Sequence, residues 1–95
     1  MPKLMLKFEA AFIKEIKLDK PAFTLGRKPD NDIVLDNAAV SGHHAKMYES
    51  GGTWFVEDLN STNGTFVNNQ RVTAPTPFGI EDTLRIGRTM MSAEK

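Results

Sequence analysis

From Pro21 onward the chain is punctuated too often for long helices. Short apolar runs, "AFTL", "DIVL", "AKMY", "TWFVED", "TFVN", "RVTA" and "LRIG", alternate with turn clusters, "GRKPDND", "SGG", "NSTNG", "NNQ" and "PTPFGIED". A helix needs its apolar stripe sustained over roughly ten residues or more, whereas here a Gly, Pro or Asn cluster intervenes first. Restarts at spacings of roughly eight to twelve residues, with β-branched and aromatic side chains in the runs, point to an antiparallel β-sandwich. "VNNQRV" reads as a tight hairpin because Asn tolerates positive φ. The five prolines fall at or beside turn clusters, where they do not interrupt a central ladder.

Residues 4–18 are ambiguous taken alone. Apolar side chains at 4, 6, 8, 10, 12, 16 and 18 alternate as in a half-buried strand, yet Leu4, Phe8, Phe12 and Ile16 also lie four apart, as on a helix face. Consistency with the rest of the chain makes this segment two strands with a turn near residues 9–11. A chain of 95 residues supports one core, so a single domain over 1–95 is expected, without repeats or a low-complexity linker.

Charge and cysteine content exclude several classes of function. Lys plus Arg and Asp plus Glu are 12 each, which disfavours binding to nucleic acid or membrane through summed positive charge. The absence of cysteine removes disulfides, thiolate chemistry and the usual structural zinc sites. "MPKLMLKFEAAF" is broken by Lys3, Lys7 and Glu9 and lacks the apolar centre of a signal peptide, and no apolar run is long enough to span a bilayer. The default location is therefore cytoplasmic, and the N-x-[ST] matches at Asn60 and Asn63 are read as coincidence.

"AAVSGHHAKMY", residues 38–48, invites a catalytic reading of Ser41 with His44. A serine nucleophile needs a base in hydrogen-bond reach and a third group orienting that base. No G-x-S-x-G elbow is present, and side chains at i and i+3 of a strand point to opposite faces, so contact would require a bend. Adjacent histidines also point apart, which leaves no metal pair and makes His43 an exposed bystander. "GRKPDND" lacks the phosphate-loop and dinucleotide signatures, and no helix pattern follows it. Neither an enzyme nor a cofactor or metal site is expected.

What remains is a set of polar loops suited to one ligand, a phosphate monoester. Gly26-Arg27 offers a guanidinium beside a residue that permits close backbone approach. Val40-Ser41-Gly42 adds a hydroxyl and a backbone N–H, and "NSTNGT" adds the hydroxyl of Thr62 and the two-ended amide of Asn63. Taken singly, each has an ordinary structural explanation as a surface charge, a turn serine or a hairpin Asn-Gly.

In combination and order these pieces resemble the forkhead-associated (FHA) domain, a phosphothreonine-binding β-sandwich. The resemblance covers about residues 21–89. It is carried by G-R at 26–27, S-x-x-H at 41–44, D-x-x-S-T-N-G-T at 58–65 and "DTLRIGRT" at 82–89. It implies an all-β, eleven-stranded sandwich of two twisted, mainly antiparallel sheets, related to the SMAD fold, with the ligand held by loops at one end. Arg27 and Ser41 would contact phosphate, joined by Thr62, with Asn63 bonding the peptide backbone beside the phosphothreonine. Gly26, His44 and Gly64 would build the loops.

One departure stands out within that resemblance. After the key serine, family members often carry Asn, Arg or Lys, whereas this chain has Gly42, which offers only its backbone N–H. Either affinity is lower for that reason or Lys28 supplies part of the missing charge; Lys28 and Ser61 are accessory candidates. Ala39, small and uncharged, argues against a demand for an acidic residue three positions after the phosphothreonine. The partner implied is a phosphothreonine protein downstream of a Ser/Thr kinase. The alternative is a phosphate-independent interaction or oligomerisation domain on the same fold.

Overall fold

The computed structural model describes residues 3–9 and 11–94. It contains eleven strands: β1 (Lys3–Phe8), β2 (Ala11–Lys17), β3 (Ala22–Gly26), β4 (Ile33–Val34), β5 (Ala45–Ser50), β6 (Thr53–Asp58), β7 (Thr65–Val67), β8 (Gln70–Arg71), β9 (Thr76–Pro77), β10 (Thr83–Ile86) and β11 (Thr89–Glu94). One sheet has six strands in the order β2-β1-β11-β10-β7-β8, and the other has five in the order β4-β3-β5-β6-β9. Every pairing is antiparallel except β3 with β4. No helix is present among the described residues, so none could cross a membrane.

The period of two seen in the sequence places the core. Leu4 and Leu6 of β1, Phe23 and Leu25 of β3, Met47 of β5, Trp54 and Val56 of β6, Leu84 and Ile86 of β10 and Met91 and Ala93 of β11 are buried between the sheets. Burying each large side chain of this kind stabilises the fold by about 1.5–3 kcal/mol, and the alternation fixes register, since a one-residue slip would turn the whole set outward. The expected hairpin is present. Asn68 and Asn69 have φ of 51° and 67°, the mirror-image turn geometry that matches strand twist, and Val67 pairs with Gln70 across it.

Three features differ from the sequence expectation. β11 lies outside the apolar runs that signal strands, since "TMMSAE" has little β-branched or aromatic character, yet it lies in mid-sheet between β1 and β10. β9 lies inside the "PTPFGIED" turn cluster; its proline is tolerated because β9 is an edge strand. In β2 the alternation breaks at a bulge: Leu6 pairs with Lys14 but Lys7 with Phe12, leaving Ile13 unpaired. Phe12 and Ile13 are consequently 57% and 51% exposed, and only Ile16 of β2 packs against the core. Of the expected turn at 9–11, Glu9 has a φ of 49°, and Ala10 lies outside the described residues.

The topology brings the polar loops together. Leu25 pairs with Ala45 and Ala45 with Asp58, so β3 ends, β5 begins and β6 ends at the same edge of the five-stranded sheet. The segments 27–32, 35–44 and 59–64 all leave from that end. The β10–β11 turn rises beneath them: Gly87, with a φ of 60°, sits so close to Asn37, Ala39 and Val40 that a Cβ would stand 3.0–3.2 Å from their side chains.

Candidate functional site

Two backbone hydrogen bonds lock the first two loops in register. Arg27 N–H donates to the Ser41 carbonyl at 3.0 Å, and Lys28 N–H to the Gly42 carbonyl at 3.2 Å. This approach is close enough to require a glycine at position 26, where a Cβ would fall 2.2 Å from the Gly42 carbonyl oxygen. That oxygen is a backbone atom and cannot swing aside as a side chain could. Asn31, only 6% exposed, adds a clamp: its Nδ2 donates to the carbonyls of Lys28 at 2.8 Å and Gly42 at 2.7 Å. Two carbonyl acceptors fix the amide orientation, which leaves Asn31 Oδ1 buried without a partner among the described residues.

His44 joins the second loop to the third. It is fully buried; its Nδ1 accepts from Ser41 N–H at 3.0 Å, so its Nε2 carries the proton and donates to the Gly64 carbonyl at 2.8 Å. The chain does bend between Ser41 and His44, but the contact it makes uses the serine backbone. The Ser41 hydroxyl instead accepts from Thr62 N–H at 3.1 Å. With both ring nitrogens committed to backbone groups, His44 is not placed as a base for Ser41. Among the described residues there is no group of three His, Cys, Asp or Glu side chains able to hold a metal.

The third loop is organised by Asp58, the first residue of the D-x-x-S-T-N-G-T stretch, to which the sequence alone assigns no role. Its Oδ1 accepts from the hydroxyls of Ser61 and Thr65, both at 2.6 Å, and its Oδ2 from Ser61 N–H at 3.0 Å. Burial pushes the Asp58 carboxyl up, but the hydrogen bonds from Ser61 and Thr65 outweigh it and hold the group below the usual aspartate value. Ser61, an accessory candidate, is built into the loop: it is buried, donates to Asp58 and accepts from Gly64 N–H at 3.0 Å. Gly64 follows with a φ of 89°, which a side chain would oppose. A carboxylate three residues before a serine at a strand end was the legible signal, since Asp commonly caps such N–H groups. For Asn31 the corresponding signal was an Asn inside a Pro-containing turn cluster.

Braced in this way, the loops surround an open cleft of about 360 Å³ lined by Arg27, Ala38, Ala39, Val40, Ser41, Gly42, Thr62 and Asn63. All five principal candidates, Arg27, Ser41, Gly42, Thr62 and Asn63, therefore face one space. Arg27 is exposed and has no ion-pair partner among the described residues. The Ser41 hydroxyl already accepts one bond and retains its proton for a ligand. Asn63 donates one amide hydrogen to the Ala39 carbonyl at 3.0 Å, which steers the side chain across the cleft with its carbonyl oxygen and second hydrogen still available. His43, expected to be a bystander, is exposed but engaged, with its Nε2 at 2.9 Å and 3.1 Å from the two carboxylate oxygens of Asp30.

Comparison with known proteins agrees with this arrangement. The family model of the FHA domain matches residues 23–87. The chain belongs to the FHA domain family. It is 37% identical over 76 residues to the FHA domain-containing protein FhaB of Mycolicibacterium smegmatis, covering 80% of this chain and 49% of that protein. It is 47% identical over 55 residues to the glycogen accumulation regulator GarA of the same organism, covering 58% of this chain and 35% of that one. Among solved structures, Mycobacterium tuberculosis EmbR in complex with a low affinity phosphopeptide superposes with a TM-score of 0.85 at 33% identity, over 97% of this chain and 24% of EmbR. The FHA chain thus spans about half or less of the length of these curated relatives.

Proposed function

We propose that this FHA domain is a phosphothreonine-reading module that binds phosphorylated protein segments and does no chemistry on them. The observation that carries the reading is the convergence of Arg27, Ser41, Gly42, Thr62 and Asn63 on one open cleft. A phosphomonoester presents three strong acceptor oxygens and a charge near −2, and these residues supply donors and no carboxylate. The Arg27 guanidinium can fork across two oxygens, the Ser41 and Thr62 hydroxyls can reach others, and Gly42 presents a backbone N–H. Charge-assisted bonds of this kind are worth about 1.5–3 kcal/mol each. Asn63, which bridges to the opposite loop through the Ala39 carbonyl, would pair with an extended backbone and set its register. The phosphopeptide in the similar EmbR structure supports the same ligand class, and a Ser/Thr kinase is the enzyme class that would generate it.

The test is calorimetric titration with matched phosphorylated and unphosphorylated threonine peptides. The phosphorylated peptide should bind with a Kd on the order of micromolar, and Arg27→Ala should abolish the signal. Affinity should also weaken below about pH 6, where the phosphate takes up a proton and loses its second charge. Equal binding of the two peptides, or an Arg27→Ala variant as tight as the parent, would replace this reading with a phosphate-independent interaction domain.

A further inference from the structure

We propose that Lys28 is the second cation of the phosphate site, and that it holds this position because residue 42 is glycine. The inference rests on the phosphothreonine reading and sharpens it. A Cβ built on Gly42 would stand 3.1 Å from Lys28 Cε, 3.2 Å from Cγ and 3.3 Å from Cδ. Near-equal distances to all three carbons mean that the lysine stem lies flat across residue 42, in the space a side chain there would fill. The glycine is not required by the backbone, since Gly42 is absent from the positive-φ positions. What it spares is the track of the lysine.

The neighbouring groups leave the ammonium available. Lys28 N–H is bonded to the Gly42 carbonyl, so the stem starts from a fixed point beside the cleft that Gly42 lines. None of the ion pairs among the described residues includes Lys28. Asp30, in the same loop, is paired with His43 through both oxygens and forms no ion pair with Lys28.

A phosphothreonine brings a charge near −2, and Arg27 supplies one positive charge to the cleft. Lys28, a compact cation on a flexible stem, can swing from the rim to balance the second. In this chain a cation from the first loop thus does the work that a side chain at position 42 would do from the second.

The experiment is a double-mutant cycle with a phosphothreonine peptide that carries no Asp or Glu, so that any charge read is the phosphate's own. Lys28→Met keeps the stem and removes the charge, and should weaken binding about tenfold. Gly42→Ala should weaken it about fivefold by pushing the stem aside, and the double variant should be no weaker than Lys28→Met alone. The affinity of Lys28→Met should also respond less to salt than the parent's. If Lys28→Met binds within twofold of the parent while Arg27→Ala does not bind, the proposal fails and the phosphothreonine reading stands. Multiplying effects in the double variant would equally overturn it, since Lys28 would then not depend on Gly42. A parent that binds no phosphorylated peptide would overturn both.

Discussion

Replacing His44 with phenylalanine separates two ways in which a buried imidazole might hold the loops, by filling space or by bonding. Phe fills a similar volume but can neither accept from Ser41 N–H nor donate to the Gly64 carbonyl, which His44 meets at 3.0 Å and 2.8 Å. Gly64 is buried, so its stranded carbonyl should cost about 1–3 kcal/mol; Ser41 is only partly buried, and water can take over its N–H for about 1 kcal/mol. The sum, about 2–4 kcal/mol, is a large part of the 5–15 kcal/mol typical of a small domain. Urea unfolding followed by fluorescence of Trp54, buried in the core, reads it directly. With an m-value of about 1 kcal/mol/M, the midpoint should fall by about 2–4 M. His44→Ala, which adds a cavity, should be at least as damaging. A His44→Phe variant within 0.5 kcal/mol of the parent, well inside the roughly 1 kcal/mol assigned to either bond, would refute the argument and make His44 a packing residue.

Two further outcomes follow from the loop geometry. Gly26→Ala should cost about 1–3 kcal/mol in thermal unfolding, because its Cβ meets a backbone oxygen, whereas a Cβ at Gly51 meets nothing within 4 Å and the same substitution there should cost only about 1 kcal/mol for its positive φ. A Gly26→Ala variant as stable as the parent would show that the 26–42 approach is not tight. Asp58, held below the ordinary value when folded, stabilises the fold fully above about pH 4, its unfolded value, and loses that contribution as pH falls through the folded value. Asp58→Asn should therefore lower stability at pH 7 and make the acid limb of a stability–pH curve shallower than the parent's; an unchanged limb would mean that the three bonds to Asp58 do not favour its charged form.

How much of the fold was legible depended on whether a strand's character is local. β3, β5, β6 and β10 carry their burial pattern in their own residues, and the Asn68-Asn69 turn is written in the two asparagines. β11 has no such character. "TMMSAE" is a strand because β1 and β10 flank it, and Met91 and Ala93 are core residues because of that position. The bulge at Ile13 is likewise a property of pairing, since only the partner strand defines which residue is extra.

The candidate site divides along a different line. Arg27, Ser41, Thr62 and Asn63 could be picked out because a guanidinium, a hydroxyl and an amide announce their chemistry by residue type. The groups that hold them in place are largely carbonyls, those of Lys28, Ala39, Ser41, Gly42 and Gly64, and every residue has one. A sequence therefore shows the donors His44 and Asn31 without showing what they hold. For the same reason the glycine at 42 reads as a missing side chain until the Lys28 stem is found lying where that side chain would be. A substitution at either position has to be interpreted against the other, because neither residue type states its role without the contact between them.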